Sequence, residues 1–226
     1  MTFRLLVVPG VVIDRWRDTW AQRRPETPLE LVPVEAAEAQ ERLAETGHAA
    51  LLRLPVDKGR NHAIPLYTEQ SVVLAHRDHA LHAADELTLA ELYELGEPLL
   101  HPLDDVLAWA SPPPDRGVER PETTAAAVEW VAAEAGLLVV PQSLARLYHR
   151  RDVKYKPVTD APDSSVALAW PIDGHSELVE EMIGIVRGRT VNSSRGQAPA
   201  AKAPAAKAPK KGPAGRAASS PARRPR

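Results

Sequence analysis

The stretch "FRLLVVPGVVIDRWRDTWAQRRPETPLELVPVE", residues 3–35, decides the fold. Phe3–Val8 is a short apolar run stopped by Pro9-Gly10, the pattern of a strand buried on both faces of a parallel sheet. Val12, Trp16 and Trp20 then recur four residues apart among charges. That spacing predicts one apolar stripe of an amphipathic helix, which must stop before Pro25. Leu29–Glu35 is a second strand.

The rhythm continues outward. Residues 36–48, "AAEAQERLAETGH", are rich in helix formers and end at Gly47, and residues 49–56, "AALLRLPV", form a third strand. Strand, helix, strand, helix, strand argues for a parallel α/β sheet covered by helices. "AIPLYTEQSVVLAHRDHAL", residues 63–81, breaks the pattern with a turn and then an alternating strand, Ser71–Ala75. Thr88 is a helix N-cap with Glu91 completing a capping box. "EPLLHPL" (97–103) is a short strand, and "SPPPDRGVERPE" (111–122) is a proline-rich loop. Thr123 or Thr124 caps the helix "TTAAAVEWVAAEAG", which stops at Gly136. A buried strand then turns through Pro141-Gln142-Ser143 into another helix. Two more strands ("VKYKPVTDAP", "SSVALAWPID") and a terminal helix, "SELVEEMIGIVRGRT", complete the body.

Composition narrows the chemistry. There is no cysteine, hence no disulfide, thiolate nucleophile or thiolate metal site. No apolar run approaches the roughly 20 residues of a membrane-spanning helix. The N-terminus reads as a first strand and not as a signal peptide, so a cytoplasmic protein is expected. The chain has 28 Lys and Arg against 30 Asp and Glu. Nine of the cations (Arg195, Lys202, Lys207, Lys210, Lys211, Arg216, Arg223, Arg224 and Arg226) lie in a tail with no acidic residue. Removing them leaves 19 against 30, so an acidic body carries a basic arm. The arm includes two "APAAK" units and no apolar side chain larger than proline, so disorder is expected. Its cations suit phosphate neutralisation without sequence choice, toward DNA or another nucleic acid. The other reading is a solubilising appendage.

Three stretches, taken in order, resemble the effector-binding (substrate-binding) region of LysR-type transcriptional regulators. They are "FRLLVVPG…RWRDTWAQRRPETPLELVPV", "HAALLRLPV…IPLYTEQSVVLAHRDHAL", and "VEWVAAEAGLLVVPQSLARL…VKYKPVTDAPDSSVALAWPIDGHSELVEEMIGIVR". The resemblance implies a two-lobed, periplasmic-binding-protein-like (type 2) α/β fold with a two-strand hinge. An effector-binding domain over 1–192 would divide into lobe I (about 1–75 and 160–192) and lobe II (about 76–159). The disordered basic tail would follow over 193–226. Full-length members begin with a winged helix-turn-helix, whereas Met1 here stands just before the first strand. The expectation is therefore a regulatory protein without its own DNA-reading element, whose tail supplies non-specific affinity in its place. It would be a homodimer, with the first helix packed on a partner's second-lobe helix. The alternative is a non-sensing interaction module of the nucleoid or ribosome on the same fold.

The resemblance also places a cleft for a small effector, a carboxylate or apolar acid. It would be lined by Pro9, Gly10, Val11 and Val12, by Arg53 at the end of the third strand, by Thr123 and Thr124, and by Pro141, Gln142 and Ser143. A helix start with a hydroxyl suits a carboxylate, and Arg53 suits a bidentate contact. The competing readings are a plain N-cap for the threonines and a structural ion pair for Arg53. Where many family members have Ser or Thr in the first loop, this chain has Val11, Val12 and Ile13, which favours an apolar ligand. His76, His79 and His82 lie three apart, but leaving a strand they read as structural and not as metal ligands. Asp104 and Asp105 do not read as an acid/base pair. No glycine-rich phosphate loop or serine-nucleophile motif is present, no cofactor is implied, and nothing supports an enzyme.

Overall fold

A computed structural model describes residues 2–189 except 47, 112, 115 and 116. The basic tail and Gly47 lie outside the described residues, so the expectations on them are not met by any structural observation. The described chain forms β1 (Phe3–Val7), α1 (Asp14–Arg23), β2 (Leu29–Pro33), α2 (Ala39–Thr46), β3 (Ala49–Arg53), β4 (Asn61–Glu69) and β5 (Ser71–His76). After these come α3 (Leu89–Glu94), β6 (Leu99–Leu100), α4 (Thr124–Ala132), β7 (Leu137–Pro141), α5 (Gln142–Leu147), β8 (Val153–Pro157), β9 (Ser164–Pro171) and α6 (Glu177–Val186).

Two sheets result, one of order β2-β1-β3-β9-β4 and one of order β6-β7-β5-β8. Each is the centre of a lobe. On β1, Phe3 and Leu5 pack with Trp20 of α1 and with Val179, Met182 and Ile183 of α6. Leu6 of the same strand faces Leu43 of α2 on the other side of the sheet. In the second sheet, Val72 and Leu74 meet Val128 and Leu144, while Val73 and Ala75 meet Leu81, Leu92 and Leu107. Both sheets are thus covered on both faces, which is why their inner strands are uninterrupted apolar runs. Trp20 stacks on Phe3 at 4.6 Å between ring centroids and donates its indole N–H to the Thr27 carbonyl at 2.8 Å. Full burial is satisfied at both ends of that side chain.

The second lobe keeps the local signals read from sequence. Thr88 and Glu91 close a reciprocal capping box on α3, and Thr123 caps α4.

Four readings need correction. Residues 61–69 are not a turn: they form β4, paired antiparallel with β9 along its length. Pro65 hides this strand in the sequence, yet β4 is an edge strand where the missing N–H costs nothing, and the register shifts next to it between Pro65 and Tyr67. The first sheet is parallel only across β2-β1-β3, because β9 and β4 return antiparallel. Ser71–Ala75 does not alternate, since all five residues are buried. Val12 precedes α1 and is 72% exposed, so the buried stripe runs through Ile13, Trp16 and Trp20.

The chain passes between sheets twice. The first passage is Gln70 alone, five residues before the boundary expected near 75, because Ser71–His76 pairs with β7 and β8. The second is the segment 158–163 between β8 and β9.

Candidate ligand cleft

The β1–α1 loop and the start of α5 meet at one glycine. Gly10 has φ +83°, and a Cβ there would stand 2.7 Å from Ser143 Oγ and 3.1 Å from Leu144. Only glycine adopts this conformation cheaply and also admits the second lobe so close to the first.

Beneath this contact lies Arg53. It ends β3, all five residues of which are buried, and its side chain is almost wholly enclosed. Nη1 donates to Glu69 Oε2 at 2.8 Å and to Ser164 Oγ at 2.9 Å. Nη2 donates to Ser143 Oγ at 2.9 Å and to the Pro9 carbonyl at 3.3 Å. Ser143 Oγ in turn donates to Glu69 Oε2 at 2.8 Å. Glu69 and Ser164 flank the two passages between sheets, and Ser143 belongs to the second lobe. One buried ion pair therefore ties together both lobes and both hinge segments.

The remaining residues expected at the cleft are arranged differently. Thr123 Oγ1 accepts from Ala126 N at 3.1 Å, an N-cap bond. Thr124, almost fully buried, donates its hydroxyl to Asp104 Oδ1 at 2.9 Å. Pro141 ends β7. Gln142 donates its backbone N–H to Gln70 O at 3.0 Å and accepts from Arg146 with its side chain. Val11 packs into both cores of the first lobe. Pro9, Gly10, Arg53 and Ser143 come together, while the two threonines are engaged elsewhere.

Beside this cluster opens a cavity of about 540 Å³. Its wall combines Val7, Val8, Pro9, Gly10 and Ile13 from the end of β1 with Leu31, Pro33 and Val34 from β2. Glu35, Glu38 and Arg42 stand on the approach to and first turn of α2, and Leu147 and Tyr148 reach in from the second lobe at the end of α5. The volume suits a small organic ligand, and the carboxyl ends of strands are where open α/β sheets hold theirs. Burial holds the Tyr148 phenol above its ordinary range, with the fields of Asp104 and Glu35 adding to the shift. The sequence reading found Pro9 and Gly10 but missed Glu35, Glu38, Arg42, Leu147 and Tyr148. The signal for the first three was available: they follow β2 as Pro9-Gly10 follow β1.

The other titratable clusters have local partners. His79 pairs through Nε2 with Glu97 Oε1 at 2.7 Å and accepts Leu81 N–H on Nδ1 at 3.0 Å. His82 Nε2 is bonded to the His76 carbonyl at 3.0 Å, and burial lowers its proton affinity. Among the described residues no three His, Cys, Asp or Glu side chains gather to hold a metal. Asp105 accepts from Leu107 N–H and Trp109 Nε1, and its carboxyl is raised chiefly by burial.

These features define a two-lobed α/β domain with an interlobe cavity. Residues 8–190 match the LysR substrate binding domain, and the chain belongs to that family. Among solved structures it is similar to the reduced form of OxyR, with a TM-score of 0.68 and 19% identity, covering 85% of this chain and 97% of that one. It is similar also to the BenM effector binding domain with its effector benzoate (TM-score 0.63, 21% identity, 83% and 90% covered). A third is full-length CbnR complexed with its target DNA (TM-score 0.62, 15% identity, 83% and 70% covered). At these identities the likeness concerns the fold. No curated protein matches the sequence. No helix among the described residues is long and apolar enough to cross a membrane.

Proposed function

We propose that this chain senses a small effector in the interlobe cavity and transmits its presence as part of transcription regulation, by binding and not by catalysis. The observation that carries the reading is the cavity itself, walled by the first lobe and closed by Leu147 and Tyr148 of the second. A ligand held there touches both lobes and favours whichever lobe arrangement it fits better. Family membership supports the regulatory setting, as do BenM, crystallised with its effector benzoate, and CbnR, crystallised with its target DNA. By the same analogy the working unit is a homodimer in the cytoplasm.

A thermal-shift screen of the full chain with small acids, amines and neutral aromatics tests the reading. A ligand should raise the Tm of the parent protein and leave Leu147→Trp, which fills the cavity mouth, unmoved. A screen with no hit, or a hit indifferent to Leu147→Trp, removes the cleft from consideration.

The basic tail adds a second element, non-specific contact with DNA or another nucleic acid at the nucleoid. The observation favouring it is nine cations without one acidic residue over 195–226. If about half a dozen phosphates are neutralised, affinity for a random duplex should fall on the order of 10³-fold between about 50 and 200 mM salt. Deleting 195–226 should abolish the binding, since the remaining body is acidic. Salt-independent binding, or binding by the truncated chain, would reduce the tail to a solubilising arm.

A further inference from the structure

The family resemblance implies a carboxylate or apolar acid as effector, yet the groups nominated to hold one are already engaged within the protein, two of them by its own carboxylates. Glu69 occupies Arg53. Asp104 occupies the Thr124 hydroxyl, and Thr123 is engaged in capping its own helix. An incoming acid would have to displace these partners in a dry interior, leaving a buried carboxylate of the protein unpaired.

The cavity presents the opposite chemistry. Its floor is apolar, from Val7, Val8, Ile13, Leu31 and Val34, and its charged lining is two carboxylates, Glu35 and Glu38, against one guanidinium, Arg42, which is itself engaged. Acidic residues ahead of a helix also complement its dipole, which accounts for Glu38 beside α2 but not for where Glu35 acts. Across the cleft, burial chiefly, with the fields of Asp104 and then Glu35 added, disfavours the charged form of Tyr148 on the second lobe. Negative potential from both lobes thus converges on the phenol at the cavity wall. We propose that the effector is an apolar amine, its ammonium group held by Glu35 and Glu38 near the Tyr148 hydroxyl and its hydrocarbon body lying on the valine and leucine floor.

This inference rests on the cleft reading above, and the test separates the two. The probes are matched amines, alcohols and carboxylates on phenyl, cyclohexyl and short alkyl bodies: 2-phenylethylamine, 2-phenylethanol and 3-phenylpropionate form one such trio. Each is titrated calorimetrically into the full chain, the Leu147→Trp variant and a Glu35→Gln/Glu38→Gln variant. The amine of at least one trio should bind about tenfold or more tighter than its acid, a preference that the double variant should erase. Leu147→Trp should bind neither. An acid that binds better than its matched amine, and is lost in Leu147→Trp, overturns the amine assignment and keeps the cleft. Binding by no compound of any charge overturns both. An amine preference that survives in the Glu35→Gln/Glu38→Gln variant overturns the assignment as well, because the acidic body would then attract cations from elsewhere.

Discussion

The two ends of the interlobe cleft hold the same kinds of side chain in opposite circumstances. At the closed end, Arg53 and Glu69 have side chains only 4% and 11% exposed, and the guanidinium donates to Glu69, Ser164, Ser143 and the Pro9 carbonyl. At the open end, Glu35 and Glu38 line a space large enough for a ligand. The comparison separates stability from recognition. A buried charge demands a fixed internal partner and becomes part of the hinge, whereas a charge beside a cavity keeps capacity for something that arrives.

The most severe way to break this contrast is Glu69→Ala. It strands the Arg53 guanidinium in the interior and should lower unfolding free energy by about 3–5 kcal/mol in denaturant titrations. Replacing both partners by apolar residues, Arg53→Met with Glu69→Leu, should recover most of that loss. A Glu69→Ala protein as stable as the parent would mean that the closed end is wet.

Gly10→Ala tests the geometry between the two ends. A side chain at φ +83° pushing on Ser143 should cost roughly 1–3 kcal/mol, read as a lower Tm, with weakened ligand binding because the lobes are forced apart. An unchanged Tm would show that the loop re-forms without that contact.

Glu35→Gln sharpens the open end. Stability should stay within roughly 0.5 kcal/mol of the parent. The phenol of Tyr148 should titrate at lower pH than in the parent, toward its ordinary value of 10.0, followed by ultraviolet difference spectra. A Tyr148 titration unmoved by the substitution would place Glu35 away from the cleft.

The smallest effect belongs to a half-exposed pair near the surface. Hydrogen bonds from Arg150 hold the Asp152 carboxyl at about 2, below its ordinary 3.8. Because the folded value is the lower one, this contribution is complete above pH 3.8 and is lost as pH falls through about 2. Arg150→Ala should return the Asp152 titration, measured by NMR, toward 3.8 with little change in Tm. A large loss of stability would blur the distinction between dry and wet pairs.

Much of this molecule was legible from local signals. Runs such as Phe3–Val8 and Leu137–Val140 announce buried strands, Thr88 with Glu91 announces a cap, and Pro9-Gly10 announces the turn that reaches the cleft. β4 was not legible, because Pro65 argues against a strand and only a place at the sheet edge makes it harmless. Arg53 was visible as a candidate, but its partner Glu69 lies sixteen residues away on another strand.

The sequence by itself determined most of the elements and their order, β4 excepted, the resemblance to a two-lobed family, and the acidic body with its basic arm. The elements and the charge split follow from periodicity, capping chemistry and charge count, which act within a few residues or sum over the chain, whereas the two lobes were implied by the family resemblance. Only the tertiary structure decided which charges are enclosed and which face a cavity. Burial depends on what distant strands bring alongside, and the local sequence around Arg53 and Glu35 is equally compatible with either fate.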